Sequence, residues 1–245
     1  MSAQIAPADA IARIRKIAVV PIQLPITVTP ALMQVFETNA GTGSLPPSPG
    51  VGVLATIVLV FVLSVEWPKQ EGRRNRALEL LAEWAASKDP WNPEQALAQD
   101  AAALLRRSSA YKDIWVNQAV VLPGVKTTEP TWHMENWMKP RRAWYRRTDS
   151  LVNVSEANVL DADALLEIAA GPVELSGEHV VLHVAVKLIS TSTNAVLGRS
   201  NCVGYTDAAP LEDILQNEGR LFKSLYGELS GRILDKCLRE AGLIR

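Results

Sequence analysis

The sequence is poor in the residues that build reactive or metal-binding sites, with two cysteines and three histidines among 245 residues. Two cysteines exclude a disulfide framework and a cysteine-rich zinc site, although they permit one bridge. The chain also lacks a phosphate-binding Gly-x-x-x-x-Gly-Lys-Ser/Thr loop, a Gly-x-Gly-x-x-Gly turn and a Gly-x-Ser-x-Gly elbow. We therefore expect no metal, no cofactor and no catalytic residues encoded by a motif.

The chain has no excess of one charge either, because its net charge is -1 at pH 7. Nucleic-acid binding depends on concentrated positive charge, so we expect no nucleic-acid partner. The first residues lack the basic start, apolar core and small-residue cleavage site of a secretory signal peptide. A cytosolic protein and the mature form of an exported protein are both compatible with this N-terminus.

The clearest pattern that is present is an alternation of apolar and polar residues between Glu178 and Ile189. It predicts a strand with one buried face, formed by Val180, Leu182, Val184, Val186 and Leu188. His179, His183 and Lys187 point to the other face, so we expect the sheet to be covered on one side only. Accordingly, Val184→Asp should destabilise the fold severely, and Lys187→Glu should matter little.

Other segments complete the predicted architecture. The polar turn Ser190–Asn194 predicts a hairpin, Ile17–Ile22 and Ala164–Ala169 predict core strands, and residues 75–107 and 211–241 predict helices, the second broken near Gly219. The sequence thus predicts an α/β fold with a mixed, mostly antiparallel sheet of four or five strands and amphipathic helices packed on one face. We expect residues 1–245 to form a single domain that contains an apolar insertion, residues 38–68.

The insertion is the most ambiguous segment, because no charged residue occurs between Thr38 and Val65. Its apolar part, residues 51–65, is shorter than the roughly 20 residues that cross a bilayer as a helix. A buried strand or core helix, a membrane span and an apolar docking surface are the alternatives. We expect a surface that contacts a partner or lipid through Val58, Val60, Phe61 and Trp67, because large apolar areas are rarely left in water.

A second candidate contact segment lies between Glu129 and Arg147, where aromatic and cationic residues alternate. Such a surface can bind anionic lipid head groups or an acidic protein partner. The candidate contact residues are Trp137, Lys139, Arg141, Arg142, Trp144, Arg146 and Arg147. The alternative is a helix whose Trp137, Trp144 and Tyr145 pack inward while its cations lie in water.

Two further sets of residues have a structural and a functional interpretation. Cys202 and Cys237 can form a bridge, but a buried free thiol is the favoured interpretation, because Cys237 lies on an apolar helical stripe. Asp161, Asp163 and Glu167 could form a carboxylate pair for acid/base chemistry. We expect instead that the two aspartates accept local backbone hydrogen bonds in the turn before a strand.

The order of the elements resembles a known family. Lys16-Ile-Ala-Val-Val-Pro-Ile22, the strand at 162–168, the hairpin at 184–198 and the terminal amphipathic helix occur in the order found in bacterial cell-envelope lipoprotein domains. The types concerned are those of the curli secretion channel, the penicillin-binding-protein activator and the Tol N-terminal domain. The chain departs from them in lacking a lipidated N-terminal cysteine and in carrying the apolar insertion.

The resemblance implies an α/β domain that docks or assembles with envelope machinery and carries out no catalysis. We therefore expect a structural or accessory subunit in the bacterial periplasm or at the inner face of the outer membrane. Its partners would be envelope proteins or copies of itself, with the membrane surface as a further contact. An enzyme whose site no motif reveals and a cytosolic adaptor are the alternatives.

Overall fold

A computed structural model describes eleven ranges of the chain. These are residues 3–23, 59–61, 76, 79–80, 91–108, 110–122, 134–153, 159, 161–176, 179–207 and 209–244. For residues 59–61, 134–138, 172–176, 179 and 211, the structure describes the backbone but not the side chain.

The described residues form a mixed sheet of seven strands flanked by helices. The strands are β1 (Lys16–Gln23), β2 (Leu59–Phe61), β3 (Asp113–Val116), β4 (Val120–Val121), β5 (Ala164–Ser176), β6 (His179–Ser190) and β7 (Val196–Tyr205). Their order along the sheet is β3-β1-β5-β6-β7, with β2 paired to β5 and β4 paired to β1. The pairs made by β1 and β2 are parallel, whereas the two longest ladders, β5–β6 and β6–β7, are antiparallel. The predicted mixed, mostly antiparallel sheet and its hairpin are confirmed, but the sheet has seven strands and not the four or five expected, because β2, β3 and β4 are short strands of two to four residues.

Two helices pack on one face of this sheet, as the sequence predicts. They are α2 (Pro93–Arg107) and α4 (Leu211–Glu240), which follow the short helix α1 (Ala8–Arg13) in the chain. Val184 and Ile233 belong to the same buried cluster on this face. The predicted severe effect of Val184→Asp stands, because a charge would be buried there without a partner.

The opposite face of the sheet differs from the expectation that it lies in water. The helix α3 (Met134–Arg146) and the segment after it cover this face. Their residues Trp144, Tyr145 and Val152 belong to a second buried cluster, which they form with residues of the sheet. Lys187 is 0% exposed. The strand alternation identifies two faces but contains no information about what covers the second one.

Local sequence signals explain where the helices begin, break and end. Asn92 caps α2, because its Oδ1 accepts a hydrogen bond from the Gln95 N–H at 2.9 Å, and Pro93 occupies the first turn. The predicted break in α4 is confirmed: residues 216–219 leave the helical conformation, and Gly219 has a φ of 67°. Gly242, with a φ of 80°, follows the helix end at a position that favours glycine.

The apolar insertion lies mostly outside the described residues. Within it the structure places β2, which pairs in parallel with Val173–Leu175 of β5. These three residues adopt the strand alternative, and the remainder of 38–68 stays a prediction.

An aromatic cluster joins α2 to α4. The Trp91 ring meets Phe222 and Tyr226 edge to face, with centroids 5.8 and 5.3 Å apart. The Tyr226 hydroxyl donates to the Pro93 carbonyl at 3.1 Å.

Beside this cluster lies Glu94, which is 5% exposed and whose Oε2 has no hydrogen-bond partner. Burial raises the pKa of Glu94 to about 7, against a smaller opposing effect of a backbone hydrogen bond.

This carboxyl predicts a fold that loses stability as the pH rises. The pKa of Glu94 is raised from 4.5 to about 7 in the folded chain, so stability decreases between those two pH values and is level above them. The loss is about 3 kcal/mol, from 1.36 kcal/mol for each pKa unit. Glu94→Gln should remove most of this slope in denaturant unfolding measured at several pH values.

The exposed Glu228 on α4 supplies the control, since Glu228→Gln removes a carboxylate that lies in water. An unfolding free energy with the same pH slope in Glu94→Gln as in the wild type would contradict the prediction.

Candidate functional site

A buried carboxylate on β5 organises the face of the sheet that α3 covers. Glu167 is 0% exposed, and its two oxygens accept four hydrogen bonds. Oε1 accepts from Ser150 Oγ and from the Leu151 N–H, both at 2.6 Å. Oε2 accepts from Trp144 Nε1 at 2.6 Å and from Lys187 Nζ at 3.4 Å. The carboxylate is therefore fully satisfied, as a buried charge requires.

Lys187 lies opposite Glu167 in the β5–β6 ladder and is satisfied in the same way. Besides Glu167, its ammonium donates to the carbonyl oxygens of Trp144 at 3.2 Å and Asp149 at 3.0 Å. It also lies 5.3 Å from the centroid of the Trp144 ring. Burial lowers the pKa of Lys187, and the carboxylate of Glu167 opposes that shift.

Arg199 continues this row of charges on β7, opposite Lys187. Its Nη1 donates to the Tyr145 carbonyl at 2.9 Å, and its guanidinium lies over the Tyr145 ring at 5.5 Å. Trp144 and Tyr145 are in the last turn of α3, where carbonyl groups lack partners within the helix. Lys187 and Arg199 thus bind the C-terminal end of α3, which also favours cations electrostatically.

This arrangement corrects the expectation about Lys187. Replacement of Lys187 by Glu, expected to matter little, would bury two carboxylates side by side. The alternative of acid/base chemistry, which the sequence analysis did not favour, does not suit Glu167, because its oxygens already accept four hydrogen bonds and its side chain is fully buried. Asp163 accepts backbone hydrogen bonds from Arg15 N–H at 2.7 Å and Lys16 N–H at 2.9 Å, but these donors are distant in the sequence, so the expectation of local bonds was wrong for Asp163. These bonds join the starts of β5 and β1.

The structure divides the predicted aromatic and cationic contact segment into buried and exposed residues. Trp144 is buried under the sheet, and Arg141 is 5% exposed. Neither offers a free contact surface. The cations at the surface are Lys139, Arg142, Arg146 and Arg147. Arg147 forms an ion pair with Asp149 at 2.8 Å. The inward-packing alternative is therefore correct for Trp144 and Tyr145, while the exposed cations remain candidate contacts.

Arg141 is unusual because no carboxylate among the described residues pairs with its buried guanidinium. Its Nη2 donates to Asn201 Oδ1 at 3.0 Å, and its Nε has no hydrogen-bond partner. Burial lowers the pKa of Arg141 to about 10. The amide of Asn201 supplies the polar contact that orients it.

The other predicted contacts are not described in full. Val58 and Trp67 lie outside the described residues, and for Val60, Phe61 and Trp137 only the backbone is described. Their contact with a partner or lipid stays a prediction.

The two cysteines are joined to each other. Cys202 on β7 and Cys237 on α4 form a disulfide with Cα atoms 5.8 Å apart, within the usual range for such bridges. The favoured interpretation of a free thiol was wrong, because the apolar stripe that carries Cys237 also brings it against β7. Both residues are buried, 3% and 0% exposed.

An exposed apolar patch on β7 was not predicted from the sequence. Val203 is 51% exposed and Tyr205 is 70% exposed. They alternate with Cys202 and Gly204, which lie toward α4. The exposure of this patch depends on the position of β7 at the end of the sheet, which only the strand order reveals.

The described part of the chain contains neither a metal-binding cluster nor a membrane-spanning helix. No group of three or more histidine, cysteine, aspartate or glutamate residues there is arranged to hold a metal ion. Among the described helices, none combines the length and apolar composition that crossing a bilayer requires.

No family model and no curated protein matches the chain. Among solved structures, it is similar to the PelC dodecamer from Paraburkholderia phytofirmans, with 14% identity over 100% of this chain and 96% of the other and a TM-score of 0.37. Protein CT253 from Chlamydia trachomatis gives 9% identity over 94% and 98% of the two chains and a TM-score of 0.43. Protein XCC0632 from Xanthomonas campestris gives 10% over 95% and 89% and a TM-score of 0.35.

These similarities are too weak to transfer a fold or a function. Dodecamer formation is a property of PelC and is not transferred to this chain. None of the three proteins is named as a curli-channel, penicillin-binding-protein-activator or Tol domain, so that resemblance rests on this sequence by itself.

The pairing of Glu167 with Lys187 predicts strong coupling between them. Lys187→Met should destabilise the fold by about 3–5 kcal/mol, because it leaves a buried carboxylate without its cation. The double variant Lys187→Met, Glu167→Gln should lower the free energy of unfolding by less than the sum of the two single changes, as measured by denaturant unfolding. Lys236→Met on the surface of α4 is the control. Additive single effects would contradict the proposed pairing.

Proposed function

We propose that this chain is a non-catalytic structural or accessory subunit of the bacterial cell envelope that binds protein partners in the periplasm or at the inner face of the outer membrane. The observation that supports this localisation is the disulfide between Cys202 and Cys237. Such bridges persist in oxidising compartments and are rare where thiols are kept reduced. The bridge joins two cysteines that are 35 residues apart in the sequence, so it constrains the unfolded chain and stabilises the fold.

The use of the buried charges supports a non-catalytic role. Glu167 and Lys187 are inaccessible, and their hydrogen bonds hold α3 on the sheet. Asp163 binds two backbone N–H groups at the start of β1. Two of the carboxylates that were candidates for acid/base chemistry, Asp163 and Glu167, therefore have structural roles.

The surface of β7 supports binding to a protein. Val203 and Tyr205 project from a strand at the end of the sheet and are largely exposed. Edge strands offer unpaired backbone groups to other chains, and aromatic residues are enriched at protein interfaces. The exposed cations of α3 would extend such a surface toward an acidic partner or anionic lipid head groups.

The proposal is tested by locating the native protein and measuring its thiols together. Cells that produce it naturally are fractionated, and each fraction is denatured and treated with a maleimide-polyethylene glycol before and after reduction. We expect the protein in the periplasmic or outer-membrane fraction, modified only after reduction.

The double variant Cys202→Ser, Cys237→Ser is the control and should stay unmodified in both samples. Recovery in the cytosol, or modification without prior reduction, would overturn the envelope assignment. A cytosolic adaptor would give both results.

A further inference from the structure

The face of the sheet that α3 covers holds positive charge that the described carboxylates do not neutralise. Arg141, Lys187 and Arg199 lie on this face together with Glu167, and Glu167 pairs with Lys187 at 3.4 Å. Within the described part of the chain, neither Arg141 nor Arg199 forms an ion pair with a carboxylate. A charge removed from water is costly unless an opposite charge lies beside it. The two arginines therefore leave a place for an anion.

The phenol of Tyr145 brings these two guanidinium groups to one place. Arg141 and Tyr145 are neighbours one turn apart on α3, and the guanidinium of Arg199 lies 5.5 Å from the centroid of the Tyr145 ring. Burial raises the pKa of Tyr145, the charges of Arg199 and Arg141 oppose that rise, and the carboxylate of Glu240 adds to it. Both cations thus lie within electrostatic reach of the same phenol.

The strand β7 presents hydrogen-bond donors beside the two cations. Arg199 and Asn201 are two residues apart, so their side chains lie on the same face of the sheet. Asn201 Oδ1 accepts from Arg141 Nη2 at 3.0 Å, and a guanidinium can only donate, so this bond fixes the amide and leaves Nδ2 as a donor. Arg199 donates through Nη1 to the Tyr145 carbonyl, whereas the Nε atoms of Arg199 and Arg141 have no partner.

Small residues of the sheet make room for the guanidinium of Arg141. A Cβ atom at Gly171 would lie 3.4 Å from Arg141 Cζ, so β5 has no side chain at this point. Ala185 is the residue of β6 that lies opposite Asn201. Arg141 is 5% exposed, whereas Arg199 and Asn201 are partly exposed. An anion therefore reaches Arg199 and Asn201 from water and has the charge of Arg141 behind them.

We propose that Arg199, Asn201 and Arg141 form a binding site for a phosphate group. A phosphate monoester carries about −1.5 to −2 charges at pH 7, which matches two arginines, whereas a carboxylate carries only one. The edge of a guanidinium fits two phosphate oxygens at once, and the edge of Arg199 that contains Nε has no partner among the described residues. The inference goes beyond the proposed function, because the site requires neither an envelope location nor a protein partner.

Glu240 is the carboxylate that could compete with such an anion. Its Oε2 accepts from Ser200 Oγ at 2.6 Å, and its Oε1 lies 3.9 Å from Lys236 Nζ. Both contacts lie on the α4 side of β7, because Ser200 alternates with Arg199 and Asn201 along the strand. Glu240 is therefore held by other groups and leaves the α3 side of the strand to the phosphate.

The first test is calorimetric titration of the purified full chain with inorganic phosphate, at constant ionic strength set by sodium chloride. The wild type should bind, and Asn201→Asp should weaken binding by about tenfold or more, because its carboxylate lies where the anion would bind. In phosphate-free buffer, Asn201→Asp should unfold at a higher temperature than the wild type, since the new carboxylate neutralises the arginines. The matched control is Asn217→Asp, the same change at an exposed position in the break of α4.

A second variant and a second probe complete the test. Arg199→Lys keeps a cation near the Tyr145 carbonyl but lacks the guanidinium edge, and it should also weaken phosphate binding by about tenfold. Phosphatidylcholine vesicles with and without phosphatidic acid identify the source of the phosphate. If the wild type is retained only with phosphatidic acid and Asn201→Asp is not, the source is a lipid head group; phosphate binding without retention indicates free phosphate.

Four results would overturn the proposal. These are a wild type that binds neither probe, equal binding by Asn201→Asp and Asn217→Asp, wild-type phosphate affinity in Arg199→Lys, and a lower unfolding temperature of Asn201→Asp in phosphate-free buffer. None of these measurements depends on cell fractionation or thiol state, so the phosphate site and the envelope assignment can fail separately.

Discussion

The carboxylate of Glu167 is the group on which the α3 face of the sheet depends. It lies on the central strand β5 and binds α3 through Trp144, the following segment through Ser150 and Leu151, and β6 through Lys187. A buried charge is tolerated only when such contacts are complete, so the four donors and the carboxylate require each other. The helix, the loop and the sheet therefore fold into this arrangement together.

The two faces of the sheet are held by different chemistry. On one face, apolar packing and the Cys202–Cys237 bridge attach α4 to β7. On the other, Lys187 and Arg199 bind the last carbonyl groups of α3. Helices of the chain itself thereby cover both faces, whereas the side chains of Val203 and Tyr205 on β7 are largely exposed.

Local patterns in the sequence were sufficient to predict the strands and helices but not what packs against them. The alternation from Val180 to Leu188 and the weak helical position of Gly219 gave the correct strand and helix break, because periodicity and backbone freedom are local properties. Lys187 was misplaced, since periodicity cannot tell whether a second layer covers the polar face. Its pairing with Glu167 had a signal, because Glu167 is the one charged residue in the apolar run Ala164–Ala169 and Lys187 is the one cation in the alternating strand that follows. The exposure of Val203 had no such signal in the sequence, because it follows from the order of strands that are distant in the sequence.

Native-state hydrogen exchange of Glu167→Gln tests the central claim most directly. If the carboxylate holds α3 to the sheet, amide protection should fall over residues 139–153 and remain at wild-type levels in α4 and β7, because the latter are attached by packing and the disulfide. Uniform loss across the whole chain, or unchanged protection over residues 139–153, would contradict the account.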